Sequence, residues 1–372
     1  MNPFIIKGYE GKNLFCDREK ESGRILNAIK NRRDITLVSL RKMGKTGLIF
    51  HTFEILRKEK TYESIYLDIY HTENLNGLIN QLATTLFRMK KSFGQRMKDI
   101  LSNFRLVRPV ISFDQLSGLP SVSFLIADER DAQHTLEDLF QMIGERSQKI
   151  PIILAIDEFQ QISKYPEKNV EALIRGITQK LLNVQFIYSG SNKIMLSRMF
   201  GDASRPFYQS TEMMYLEEIN APEYAAFIKR LFSRNSRENK EETVSEILRL
   251  TRCHTWYSQY FCNKFFETGR EINRENCTSI LRNILLENEP FYLEFRNLLT
   301  HPQWQLMKAI AHSEGASSIT SGDFIKKYNL TNASTVKRGI DSLTEKEMIY
   351  KKANTYYVYD VFFSRWLETQ AI

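Results

Sequence analysis

The residues of this chain best suited to phosphate chemistry lie in three short stretches, the first at Leu40-Arg-Lys-Met-Gly-Lys-Thr46. An apolar run, Ile35-Thr-Leu-Val38, leads into it, and a helical pattern with Leu48, Ile49, Phe53 and Leu56 follows. Strand, tight turn and a helix opening on Gly44-Lys-Thr predict a turn that cradles phosphates. Backbone N–H groups at a helix N-terminus point at the anion, and the dipole favours negative charge. On this reading Ser39, Arg41, Lys42, Met43, Gly44 and Gly47 line a nucleotide's phosphates. Lys45 reaches the β- and γ-phosphates, and the Thr46 hydroxyl takes a Mg2+ position. Ser39 stands where the usual G-x-x-x-x-G-K-[ST] pattern has glycine, a position that serves backbone freedom rather than chemistry. The plainer reading is a basic strand–helix turn.

The second stretch is Lys149-Ile-Pro-Ile-Ile-Leu-Ala-Ile-Asp-Glu-Phe159. A buried strand of this kind delivers Asp157 and Glu158 at its C-terminal end, where open α/β sheets bind their ligands. Asp157 would hold Mg2+ through its water shell, and Glu158 would orient and deprotonate an attacking water. By itself such a run also reads as a strand ending in solvent; a Gly-Lys-Thr about 110 residues earlier in an alternating α/β pattern favours the Walker B reading. The third stretch, Val184-Gln-Phe-Ile-Tyr-Ser-Gly-Ser-Asn192, predicts a neighbouring strand whose Ser191 or Asn192 senses a γ-phosphate, although Ser-Gly-Ser-Asn is also ordinary turn chemistry. Arg205, before a proline in the following loop, would reach the γ-phosphate in cis or in trans, or lie on the surface.

The elements that must position these groups follow the same alternation. Phe15 to Asn31 predicts an amphipathic helix capped by Asp17, with Ile25, Leu26 and Ile29 inward. Ser64–Tyr70 predicts a strand and Leu75–Phe87 a helix. Residues 104–126 predict a strand-rich insertion at the sheet edge, and a helix near Ala132–Arg146 returns to the core. A last strand, Met213-Met-Tyr-Leu216, closes a first domain of residues 1–218. Helical spacing then fills 219–298. Residues 299–372 predict a winged helix, with helices from Gln303, Ser321 and Asn332 and a hairpin turning at Lys352-Ala-Asn354.

Bulk properties narrow the partners. The 372 residues are 42% hydrophobic and 26% charged, too many for one ordinary core and globular in balance. No run predicts a membrane span, and Met1–Lys12 does not read as a signal peptide. Cys16, Cys253, Cys262 and Cys277 form no CxxC pair, which predicts thiols of a reducing cytoplasm rather than a zinc site. The formal charge is +8. From Lys20 to Lys60 there are 11 Lys/Arg against 4 Asp/Glu, whereas the residues from Thr300 onward hold 9 against 7. The excess therefore surrounds the predicted phosphate turn. The third tail helix would expose Asn332, Ser334, Thr335, Lys337 and Arg338 to DNA, but its near-neutral surroundings fit a protein-docking module equally well.

Taken together, Phe15-Cys-Asp-Arg-Glu19, Leu40–Thr46, Ile156-Asp-Glu-Phe-Gln160, Ser191-Asn192 and the winged helix make the chain resemble the archaeal-type ATPases. That group, also common in bacteria, lies in the STAND branch of AAA+-related P-loop NTPases. The resemblance implies a parallel α/β sheet sandwiched by helices, then a helical lid and a winged helix. It implies ATP or ADP with Mg2+, slow hydrolysis and a conformational output. It places Arg18 near the adenine or ribose, and it leaves oligomerisation and a protein partner open. Two departures stand out: Ser39, and Cys253-His-Thr-Trp256, which has neither the glycine nor the proline of the usual lid signature. Two other readings are a DNA-binding regulator with a vestigial pocket and a scaffold that holds ADP and docks a protein.

Overall fold

The computed structural model describes residues 2–89, 109–113, 118–234 and 241–371. The chain forms two compact units, Gly8–Glu218 and Met1–Lys7 together with Ile219–Ile372.

The first unit is built on five parallel strands: β1 (Ile35–Val38), β2 (Glu63–Asp68), β5 (Ile152–Asp157), β6 (Val184–Gly190) and β7 (Glu212–Tyr215), in the order β2-β5-β6-β1-β7. Every residue of β1, β5 and β6 is buried, as expected of parallel strands covered on both faces. Side chains alternate between two cores. Ile35, Leu37, Ile153, Ala155 and Ile187 pack with Ile25, Ile29, Leu48, Ile49 and Phe53 of the helices Glu19–Lys30 and Lys45–Glu59. Leu154, Ile156, Phe186 and Tyr188 pack on the other side with the helices Leu75–Arg88, Glu129–Ser147 and Val170–Thr178. Because strand side chains alternate with period two, Asp157 and Ser189 fall on the same face as Ala155 and Ile187. That is the face covered by the helix that starts at Lys45.

Three sequence expectations change in detail. The helix after Phe15 begins at Glu19, not under an Asp17 cap: Arg18 occupies the cap position in the left-handed region (φ 72°) and makes no side-chain cap. The β-type runs of the insertion pair as an antiparallel hairpin, β3 (Pro109–Phe113) with β4 (Pro120–Phe124), and do not extend the main sheet. They are fixed to the helix Leu75–Arg88 instead. Val122 exchanges two hydrogen bonds with the Thr84 hydroxyl, and Phe124 N–H donates to Asn80 Oδ1 at 2.9 Å. The rest of the expected insertion, 104–108 and 114–117, lies outside the described residues. Third, residues up to Lys7, expected with the first domain, belong to the C-terminal unit. Phe4 is 1% exposed and lies 4.6 Å from the Phe232 ring, while Asn2 and Asn263 exchange hydrogen bonds with each other's segments.

In the C-terminal unit, helices run Ala221–Ser233, Glu241–Leu250, Thr255–Glu267 and Arg274–Asn297, then His301–His312, Gly322–Lys327, Ala333–Glu345 and Val361–Leu367. Strands β8 (Ile349–Lys352) and β9 (Thr355–Val358) pair antiparallel. Asn332 caps Ala333–Glu345 through Thr335 N–H, and Val336, Ile340 and Leu343 face inward. Two arginines, Arg365 buried and Arg252 partly so, tie the Glu241–Leu250 end of this unit to its last helix. Arg252 donates to Val358 O and Ser364 Oγ, and Arg365 donates to the Leu250 and Arg249 carbonyls. None of the described helices is long and apolar enough to cross a membrane.

Candidate functional site

β1 runs straight into the turn at residues 39–44, and the helix Lys45–Glu59 leaves it. The left-handed backbone this turn needs falls on Lys42 (φ 62°) and Gly44 (φ 92°). Met43 is buried, while Arg41 and Lys42 are exposed. Ser39 is buried, with its hydroxyl on Leu40 O at 2.7 Å and its N–H on Gly190 O at 3.4 Å. Arg18 is 3% exposed; it pairs with Glu21 at 2.8 Å and points its other guanidinium nitrogen at Met43 O, at 3.5 Å. It therefore backs the turn directly. Gly47 lies under the Phe15 ring, which a Cβ at that position would meet at 3.3 Å.

Lys45 is 6% exposed. Burial lowers its ammonium pKa below the usual lysine value; Asp157 and Glu158 oppose that, and Arg41 adds to it. A cation held in this way favours an arriving polyanion, because the anion restores the stabilisation that burial removed. Thr46 Oγ1 donates to Asp157 Oδ2 at 3.1 Å. Asp157 is itself buried and accepts three further bonds, from Tyr66 Oη at 2.6 Å, Ser189 Oγ at 2.6 Å and Glu158 N–H at 3.0 Å. The carboxylate is thus fixed in place facing the start of the Lys45 helix. A hydroxyl and a carboxylate in contact at the mouth of an anion-binding turn suit a magnesium ion, which keeps several waters and takes its remaining oxygens from phosphates. Such an ion needs no protein cage, and among the described residues no group of three or more His, Cys, Asp or Glu side chains forms one.

Glu158 has left-handed backbone (φ 57°, ψ 39°), which turns the chain from β5 into the short helix Phe159–Lys164. Its Oε2 accepts from Ser191 Oγ at 2.8 Å, from Ser191 N–H at 3.3 Å and from Gln160 Nε2. Of the two sensor candidates, then, Ser191 touches the second acid. The Asn192 side chain caps the helix Lys193–Gly201 by accepting Met195 N–H at 2.9 Å. Arg205 pairs with Glu171 on the helix Val170–Thr178. The structure therefore brings together Lys45, Thr46, Asp157, Glu158 and Ser191, and gives Asn192 and Arg205 other partners.

Four contributors were missed in the sequence. Tyr66 and Ser189 hold Asp157, and Gln160 holds Glu158. Asp68, opposite Asp157 in the β2–β5 register, is the fourth. Its carboxyl is raised above the usual range by burial and by the neighbouring Asp157 and Glu158, and is held down by Tyr70 N–H. The signal for Asp68 was present: Ile65-Tyr-Leu-Asp68 is an apolar run ending in an acid, the same pattern that marks Asp157. The Cys253–Trp256 segment lies in the C-terminal unit, where Arg252 and Cys253 are both left-handed (φ 53° and 52°) and His254 precedes the helix Thr255–Glu267.

Comparison with known proteins agrees with this architecture. No curated protein matches the sequence. A Walker-type ATPase of Pyrococcus abyssi has a similar structure, with a TM-score of 0.67, 18% identity, and coverage of 98% of this chain and 99% of that one. The ORC2 protein of Aeropyrum pernix, solved with ADPNP and ADP, superposes with a TM-score of 0.59 at 14% identity over 99% of this chain and 96% of its own. The ORC1 protein of the same organism, solved in complex with DNA, gives 0.51 at 14% identity over 96% and 93%. A probable winged helix domain matches residues 290–369. The ATPase domain found predominantly in Archaea matches residues 15–256, and the chain belongs to that family.

Proposed function

We propose that this ATPase-family chain binds ATP with Mg2+ at the Lys45 turn, hydrolyses it slowly and acts as a nucleotide-switched regulator. The observation that carries the reading is the 3.1 Å contact between Thr46 Oγ1 and Asp157 Oδ2, beside a buried Lys45. In it the turn N–H groups and Lys45 hold the phosphates, with Thr46 and Asp157 placing the metal, which supplies charge neutralisation to the phosphoryl oxygens. Glu158 takes a proton from the attacking water, and Ser191 stands beside it. Arg18 braces the turn from behind. Four free cysteines fit a reducing cytoplasm. The output would pass through the helical and winged-helix segments to a protein partner or a second copy.

Lys45→Ala should lose nucleotide binding. Glu158→Gln should still bind ATP and lose hydrolysis, each loss being large because phosphoryl transfer depends chiefly on positioned charge. Hydrolysis by Glu158→Gln at the wild-type rate would remove the base assignment.

DNA contact by the winged helix is a second reading. Its support is the exposure of Ser334, Lys337 and Arg338 on one helix and of Lys351 and Lys352 on the hairpin; the acids Asp341 and Glu345 nearby count against it. A titration of duplex DNA at two salt concentrations tests it: a steep loss of affinity with salt supports phosphate contact, and no binding at low salt refutes it.

A further inference from the structure

Among the described residues, Asp157 is held by four donors and Glu158 by two residues. One of them, Gln160, lies only two positions along the chain. The left-handed turn at Glu158 makes this contact, since it folds the chain back so that the Gln160 amide meets the Glu158 carboxylate. Gln160 is 7% exposed. Its Nε2 donates to Glu158, whereas its Oε1 is buried and meets no donor among the described residues. That oxygen occupies the place where a side chain on residue 190 would begin: a Cβ there would lie 1.9 Å from it. Gly190, the last residue of β6, thus leaves room for the amide, and Leu196, 2.9 Å from the same Cβ position, closes the space. A buried amide with one half unsatisfied is costly, so this placement calls for a reason other than stability.

Resting on the reading of Glu158 as the base, we propose that Gln160, seated over Gly190, is a positioning residue that with Ser191 orients the Glu158 carboxylate for water activation. All three donors converge on Oε2. The second carboxylate oxygen is therefore the one presented to a water, and the carboxylate cannot rotate without breaking three bonds.

Gln160→Met keeps the length and removes the donor; Gly190→Ala displaces the amide without altering it. For both, steady-state ATP hydrolysis should show kcat reduced at least tenfold with KM changed less than twofold. ADP affinity equal to that of the parent shows that each variant is folded. If Gly190→Ala fails to fold, Gln160→Met alone decides. Unchanged or increased kcat in Gln160→Met, or a lower kcat accompanied by a KM changed more than twofold, overturns the proposal. Glu158→Gln separates the two claims. Retained hydrolysis there removes the base and the positioning role together. Lost hydrolysis there, with wild-type kinetics in Gln160→Met, removes only the role of Gln160. A parent chain that hydrolyses no ATP refutes both.

Discussion

Asp34 stands at the entrance of β1, the strand that leads into the phosphate turn, and ties it to both neighbours. Its carboxylate accepts Phe186 N–H of β6 at 2.8 Å, and its carbonyl accepts Glu212 N–H of β7 at 2.9 Å. Burial pushes the carboxyl up to about 6, against the pull of Phe186 N–H and Arg175. The unfolded chain titrates this group near 4. Between those values the folded state binds more protons, so its stability is highest with Asp34 protonated and falls as pH rises through roughly 4 to 6. A gap of about two pH units corresponds to about 3 kcal/mol at roughly 1.4 kcal/mol each, and partial solvent contact of the carboxylate puts the expected effect at about 2 kcal/mol. Asp34→Asn keeps an acceptor for Phe186 N–H and removes the charge. At pH 7 the variant should therefore be more stable than the parent by about 2 kcal/mol, and the difference should close below about pH 4. Tryptophan fluorescence is the wrong probe, since Trp256, Trp304 and Trp366 all lie in the C-terminal unit. Amide exchange of β1 and β6 residues at both pH values reads the local opening free energy directly. A variant less stable than its parent at pH 7, or a difference of the same size at pH 4, would refute the reasoning.

Three further outcomes follow from buried charge. Lys45→Met should raise the melting temperature of the nucleotide-free chain by roughly 2–4 °C, or about 1 kcal/mol for a unit of this size, because the lysine's charged form is disfavoured there; calorimetry without and with ADP checks it, and a lower melting temperature without nucleotide contradicts it. Arg205→Ala should cost about 1 kcal/mol by leaving the half-buried Glu171 carboxylate without its partner, with ADP affinity unchanged; a large drop in affinity would return Arg205 to the site. Arg252→Met should cost about 2 kcal/mol by orphaning Val358 O and Ser364 Oγ, and here tryptophan fluorescence during urea unfolding is the appropriate measurement.

What was legible in the sequence was whatever local pattern determines. The run Ile152–Asp157 is apolar throughout because β5 is covered on both faces, and the acids mark its end. The winged-helix tail was legible in part because Ser321 and Asn332 cap two of its helices, whereas its last helix, Val361–Leu367, is an element the sequence reading does not contain. Asn192 carries the same capping signal and caps Lys193–Gly201, and side-chain chemistry alone does not separate that use from a sensor's. Contacts set by register or by backbone reversal were not legible. Ser189 reaches Asp157 because β6 lies beside β5 with Ile156 opposite Tyr188. Gln160 reaches Glu158 through a left-handed residue that no glycine announced. The burial of Phe4 against Phe232 joins residues more than 200 positions apart, which no local pattern records.

The departure at Ser39 is tolerable for a physical reason that yields a test. The first glycine of the usual turn pattern matters where the backbone turns left-handed, and Ser39 is not among the positive-φ residues. That demand falls on Gly44 and on Lys42, an exposed lysine at φ 62°. A left-handed residue with a Cβ carries about 1–2 kcal/mol of strain, whereas glycine adds roughly 0.4–1 kcal/mol of chain entropy to be lost on folding. At position 42 the strain is the larger effect, so Lys42→Gly should be more stable than Lys42→Ala by up to about 1 kcal/mol. At position 39 there is no strain to relieve, so Ser39→Gly should be less stable than Ser39→Ala by roughly 0.4–1 kcal/mol. Comparing glycine with alanine at each site cancels the loss of the original side chain, including the Ser39 hydroxyl bond to Leu40 O. Amide exchange at Ile35–Val38, the strand feeding the turn, reads both differences. Opposite signs at the two positions are what the backbone geometry requires; the same sign at both would mean that the turn's conformational demand lies elsewhere.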